Sequence, residues 1–127
     1  MERKPNNAIA LKSSLDGKFF RMWLEFLRPF HKLTEREMDV LSVFLKERFD
    51  LSKVVSDQEI LDKLTMGEDT KRKIREVCGL SNTHFQVIMT KLKKNKMIDN
   101  GKINPKFIPR VEHDSKGFQL LLAFDLQ

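Results

Sequence analysis

Apolar positions recur at helical spacing through most of the chain. In 18–28, Phe19, Phe20, Met22, Trp23, Leu24, Phe26 and Leu27 cover about 200° of a helical wheel, while Lys18, Arg21, Glu25 and Arg28 share the remaining side. Asp16-Gly17 marks the entry to this helix and Pro29 its end. So wide an apolar face predicts two neighbours, the body of the domain and a second subunit. The stretch Leu33-Thr34-Glu35-Arg36-Glu37-Met38 predicts a helix start. Thr34 is the N-cap, Glu37 the reciprocal acid of a capping box, and Leu33 and Met38 a hydrophobic staple. The helix should run to about Phe49, with Met38, Leu41, Phe44, Leu45 and Phe49 on one stripe and Val40 and Val43 nearly opposite. A helix apolar on two sides belongs at the centre of a domain.

Ser56-Asp57-Gln58-Glu59 repeats the capping-box spacing and predicts a short helix over 57–64. Met66 to Asp69 is expected to turn. A third helix over 70–78 should bring Ile74 and Val77 inward and close at Gly79, a residue suited to a left-handed cap. Ser81 then caps a helix in which Phe85, Ile88, Met89 and Leu92 share one face. Thr83, Val87, Thr90 and Lys94 lie opposite, with Gln86 and Lys91 flanking. Asn100-Gly101 between short apolar segments predicts a hairpin turn. The run 103–109, interrupted by Pro105 and Pro109, suits an extended edge. Phe118, Leu120, Leu122, Phe124 and Leu126 alternate, which predicts a returning strand. A short strand over 8–11 is a further expectation.

Charge changes this picture more than composition does. The 127 residues suit one compact domain, and 40% hydrophobic content suffices for a modest core. The net charge of +6 is unevenly spread. Window 70–98 holds eight basic residues, Lys71, Arg72, Lys73, Arg75, Lys91, Lys93, Lys94 and Lys96, against the single acid Glu76, a surplus of seven. The remainder therefore carries a net −1. Clustered positive charge is the electrostatic footprint of nucleic-acid binding, though a solvated lysine face has the same composition.

Other chemistry is sparse. The single cysteine, Cys78, permits no internal disulfide and no multi-cysteine zinc site. It is expected to be buried beside the helix cap. His31, His84 and His113 lack metal-ligand spacing. No glycine-rich phosphate loop or paired-carboxylate motif is present. These features predict neither an enzyme nor a cofactor or metal. No run of 18 apolar residues predicts a membrane span. The first residues, MERKPNNAIALKSS, lack the apolar centre of a secretory signal. An intracellular, cytoplasmic protein is expected.

The order of elements from Leu33 to Leu126 resembles the winged helix-turn-helix superfamily. The likeness is carried most specifically by 74–98, with Gly79-Leu80-Ser81, then Phe85, Ile88, Met89 and Leu92, and a closing Met97-Ile98. That pattern is similar to bacterial and phage regulators, which implies a bacterial cell or a phage-infected host. Ile103-Asn104-Pro105 looks like the wing of some plasmid and phage replication proteins. The resemblance implies a mainly α fold with a small β-sheet, extended by an N-terminal helix. Residues 1–32 would be an N-terminal segment and dimerisation element, and 33–127 the winged-helix domain. Residues 50–69 are extra to the pattern.

The resemblance also implies a recognition helix over about 82–95 in the major groove of double-stranded DNA. By position, Asn82, Thr83, His84, Gln86, Val87, Thr90 and Lys91 are its candidate contacts. Lys71, Arg72, Lys73, Lys91, Lys93 and Lys94 are candidates to neutralise phosphates, with Lys102 on the wing. Asn82 and Gln86 suit adenine edges and Val87 a thymine methyl. Two departures matter. Many relatives carry arginine or lysine where this chain has Val87, and the wing sets Asp99 against only Lys102. The sequence thus predicts a DNA-binding regulator or replication accessory, dimeric through Phe19, Phe20, Trp23, Leu24 and Leu27. The alternative is a winged-helix protein-interaction or assembly module, such as a phage structural component, with a protein partner instead of a specific DNA site.

Overall fold

A computed structural model describes residues 9–15 and 17–127. Among the described residues, five helices and one small antiparallel sheet make up the regular structure. They are α1 (Lys18–Phe26), α2 (Glu35–Leu51), α3 (Gln58–Thr65), α4 (Glu68–Cys78), α5 (Asn82–Lys94), β1 (Ile98–Asp99) and β2 (Lys102–Ile103). Short 3-10 turns follow α1 at Arg28–Phe30 and β2 at Pro105–Phe107.

α2 is the centre, packed against α1, α3, α4 and α5. Its capping box is present as the sequence predicts. The Glu37 amide donates to Thr34 Oγ1 at 3.2 Å, and the Thr34 amide donates to Glu37 Oε1 at 3.2 Å. Leu33 and Met38 are both buried, as a staple requires. Met38, Val40, Leu41, Phe44 and Leu45 are all sequestered from water, so α2 is buried on both of its apolar sides. Each such side chain contributes roughly 1.5–3 kcal/mol of transfer free energy. Phe20 of α1 meets Phe49 at 5.6 Å, and Phe44 meets Phe85 of α5 edge-on at 6.3 Å.

α1 is fastened to the rest of the chain in three ways. Phe20, Trp23, Leu24 and Leu27 are buried in the common core. Trp23 Nε1 donates to the Phe107 carbonyl at 2.8 Å, which ties α1 to the segment beyond the sheet. At the surface, Arg21 bonds Glu25 at 2.7 Å and Asp39 at 2.9 Å, and Arg28 bonds Glu25 and Glu35. Arg28 and Arg21 together hold the Glu25 carboxyl down at about 2. His31 is clamped between Leu24 and Leu33. Its Nε2 donates to the Leu24 carbonyl at 2.8 Å and its Nδ1 accepts from the Leu33 amide at 3.2 Å, which defines the tautomer.

Four of the five residues expected to form a dimer face, Phe20, Trp23, Leu24 and Leu27, are therefore spent inside the chain. A dimer through them would have to open the core. Only Phe19 of that set is half-exposed. The rest of the wide face, half-exposed Met22 and exposed Phe26, lies at the surface.

Residues 50–69 form the end of α2, a turn, α3 and the start of α4. α3 packs against α2, α4 and β2, and buries Leu61 and Thr65. Its cap is Asp57, whose carboxylate accepts from the Ile60 amide at 3.0 Å, one residue later than the expected Ser56. α4 begins at Glu68, earlier than expected, because Gly67 takes the extended cap conformation. Ile74 is buried as predicted, but Val77 is mostly exposed, and Cys78 is half-buried.

The predicted tight turn is present. Asn100 and Gly101 both have positive φ, 54° and 73°, matching a type I′ hairpin that pairs Ile98 with Ile103 and Asp99 with Lys102. Three expected extended segments are not. Instead of an extended 103–109, the chain turns at Pro105–Phe107, where Asn104 Oδ1 accepts from the Lys106 amide at 3.1 Å. The returning strand at 118–126 is absent, and the segment has no regular structure. β1 and β2 are two residues long and give it no edge of matching length. Residues 9–11 likewise form no strand, while Ala8 and the helix-entry residue Asp16 lie outside the described residues.

Gly79 sits at φ 63°, and the space a Cβ would occupy there is open. Backbone conformation alone therefore demands glycine at this position. Gly79→Ala should cost about 1–2 kcal/mol. Urea denaturation should show this as a lower midpoint with an unchanged slope.

Candidate nucleic-acid interface

The site is the outer face of α5 with its flanking turns. Gly79 ends α4 by two reversed bonds, from the Leu80 amide to the Arg75 carbonyl at 2.9 Å and from the Gly79 amide to the Glu76 carbonyl at 3.2 Å. Arg36 of α2 adds a guanidinium bond to the Cys78 carbonyl at the same end. Ser81 then starts α5, its Oγ accepting from the His84 amide at 3.1 Å. The angle between α4 and α5 is thus set by hydrogen bonds to the main chain across this short turn.

Phe85, Ile88, Met89 and Leu92 are buried and hold α5 against the core. Arg75 stacks over the Phe85 ring, 5.4 Å from its centroid. At the far end the helix closes through Lys96, a non-glycine residue at φ 60°. The Met97 amide donates back to the Leu92 carbonyl at 2.9 Å. Asn104 stabilises that turn from the hairpin side. Its Nδ2 donates to the Lys96 carbonyl at 3.0 Å and its amide to the Met97 carbonyl at 2.8 Å. Asn104 and Arg36 are positioning residues that the sequence pattern does not single out. Their side chains bond main-chain carbonyls eight and forty-two residues away, which no local spacing reveals.

Asn82, Thr83, His84, Gln86, Val87, Thr90, Lys91 and Lys94 are all exposed on this helix, as is Lys93. Asn82, Thr83, Gln86, Val87 and Thr90 border one open depression along it. Thr90 Oγ1 donates back to the Gln86 carbonyl at 2.9 Å, so it presents its methyl and an acceptor outward. Val87 is about half exposed and forms an apolar spot within the polar stripe.

The cations divide into two groups. Lys93, Lys94, Lys96, Lys71 and Lys102 make no ion pair with any described residue, and are available to an external anion. Lys93 and Lys94 also complement the C-terminal dipole of α5. Arg72 instead bonds Asp69 at 2.7 Å, and Lys73 bonds Glu47 at 3.1 Å. The Lys91 ammonium stands 4.0 Å from the buried Glu37 carboxylate. Lys71, Arg72 and Lys73 are consecutive on α4, about 100° apart, and so cannot face one groove together. The structure brings Asn82 to Lys94 onto one surface but does not bring these three to it as a unit.

Cys78 is half-buried at the end of α4. Burial pushes its thiol up, with Arg36 opposing less strongly. Among the described residues no group of three or more His, Cys, Asp or Glu is arranged to hold a metal. None of the described helices is long and apolar enough to cross a membrane. No protein-family model, curated protein or solved structure matches the chain.

The pairing of Lys73 with the mostly buried Glu47 makes it a structural cation. Lys73→Ala should lower stability by up to about 1 kcal/mol, since the lysine end of the pair is solvent-screened. Lys94→Ala should leave stability within about 0.5 kcal/mol. Thermal unfolding of the two variants side by side checks this.

Proposed function

We propose that the chain is a DNA-binding protein of the winged helix-turn-helix kind, with α5 as its recognition helix. One observation carries the reading. The outer face of α5 is polar apart from Val87 and exposed from Asn82 onward, and it runs into three ammonium groups, on Lys93, Lys94 and Lys96, that pair with no described acid. Such a face offers its charge to phosphates without first breaking an ion pair to a described residue.

The mechanism follows from the division of roles between positioning and reading. Lys93, Lys94 and Lys96, with Lys102 on the hairpin and Lys71 on α4, neutralise phosphates and release counterions. The first amides of α5 add anion-binding donors at its other end. Asn82 and Gln86 present amides that match adenine edges, and Val87 suits a thymine methyl. With one apolar and two amide readers, affinity is expected to exceed sequence discrimination. Regulation of transcription and accessory action in replication both fit this chemistry.

A second reading treats α5 as a docking helix for a protein. Val87 in the middle of the face favours it, as does a hairpin with one lysine against Asp99. Salt dependence separates the two. For DNA, log Kd against log salt should have a slope of magnitude about 4–5 from five phosphate contacts, at about 0.9 per contact. Lys93→Ala with Lys94→Ala should reduce it by about 2 and weaken binding on all duplexes alike. Binding to mixed-sequence duplex that is absent, or a slope that the double variant leaves unchanged, would overturn the reading.

A further inference from the structure

Segment 118–126 has strand-type alternation and no partner strand among the described residues. Extended, it places Phe118, Leu120, Leu122, Phe124 and Leu126 on one face. Phe118 is docked on α1, its ring edge-on to Phe19 at 5.1 Å and to Trp23 at 5.4 Å. Along this row exposure climbs steadily beyond Phe118, from 42% at Leu120 to 58% at Leu122, 80% at Phe124 and 87% at Leu126. A contiguous apolar row in water marks an interaction surface. Its backbone groups make no hydrogen bond to any described residue, and so offer a template for another strand.

The order of the side chains selects the partner. Paired antiparallel with itself about Leu122, the segment sets Phe118 against Leu126, Leu120 against Phe124, and Leu121 against Ala123. Gln119 meets Asp125, and Leu122 meets itself. Apolar meets apolar and polar meets polar at every position. That self-complementarity is what a twofold, isologous interface requires. Residues opposite each other point to the same face. The second copy's Leu126 therefore arrives beside Phe118, on the side held against Phe19. There α1 carries Phe19, Met22 and Phe26 at i, i+3 and i+7, one stripe, with Phe26 53% exposed. The stripe supplies the packing surface that a lone two-stranded ribbon lacks in water.

We propose that the chain forms a twofold dimer in which segment 118–126 pairs antiparallel with the same segment of a second copy, centred on Leu122, each end of the ribbon packing on the α1 stripe. Light scattering on the full chain, without nucleic acid, should give twice the 15.0 kDa chain mass. Leu122→Lys sets like charges face to face at the axis and should return the monomer with unchanged far-ultraviolet circular dichroism, since Leu122 lies outside the core. In a Cys78→Ser background, Leu122→Cys should cross-link to itself on oxidation. Gln119→Cys alone should not, because its two copies stand about 20 Å apart along the ribbon. Mixing Gln119→Cys and Asp125→Cys chains should restore the cross-link. A wild-type chain that stays monomeric at micromolar concentration overturns the proposal. So does a dimer that survives Leu122→Lys, or cross-linking of Gln119→Cys alone as efficient as that of Leu122→Cys.

Discussion

The burial of α2 on two sides is the constraint on which the rest of the structure depends. Val40, Leu41, Phe44 and Leu45 can leave water only if helices cover both flanks of α2. α1 packs on α2 through Phe20, and α5 is reached through Phe85. Once Phe85, Ile88, Met89 and Leu92 are committed to this core, the helical period leaves Asn82, Thr83, Gln86, Thr90 and Lys94 facing outward. The outer face of α5 is therefore a consequence of the same packing that stabilises the domain. Its orientation is refined at both ends by main-chain bonds, through Gly79 at one and through Lys96 and Asn104 at the other.

The charge on the site is less uniform than a count of lysines suggests. Glu47 and Glu37 are acids whose residues are largely buried, and each draws a cation from the basic window, Lys73 at 3.1 Å and Lys91 at 4.0 Å. Lys71 on α4 and Lys93, Lys94 and Lys96 at the C-terminal end of α5 pair with no described acid, and the hairpin adds Lys102. The cations of α5 lie toward its C-terminal end, at Lys91, Lys93 and Lys94, and its first turn carries no lysine or arginine. In the proposed docking, that asymmetry assigns the phosphate backbone to the end of the helix and the amide side chains of Asn82 and Gln86 to base edges.

Features set by neighbouring residues are legible in the sequence. The Thr34–Glu37 capping box, the left-handed Gly79, the Ser81 cap and the Asn100-Gly101 turn each arise within a few residues, and each is found where its spacing places it. Features that depend on a distant partner are not. The apolar width of α1 is visible, but periodicity does not say how many neighbours one chain supplies. Phe20, Trp23, Leu24 and Leu27 are absorbed by the chain's own core, leaving Met22 and Phe26 outside. Alternation at 118–126 indicates a strand-forming segment without indicating that the short β1–β2 hairpin cannot receive it. Lys73 looks like a phosphate ligand because its partner Glu47 lies twenty-six residues earlier. The fold class, mainly helical with a small sheet, follows from the local signals, although they add strands at 8–11 and 118–126 to the two the sheet contains.

The central claim is that α5 presents its outer face to DNA. Amide chemical shifts of the labelled chain, followed while mixed-sequence duplex is added at low salt, test it most directly. The account predicts that the largest changes fall on residues 82–94 and around Lys102, with α1 little affected. Changes confined to α1 or to 118–126, with α5 silent, would contradict it.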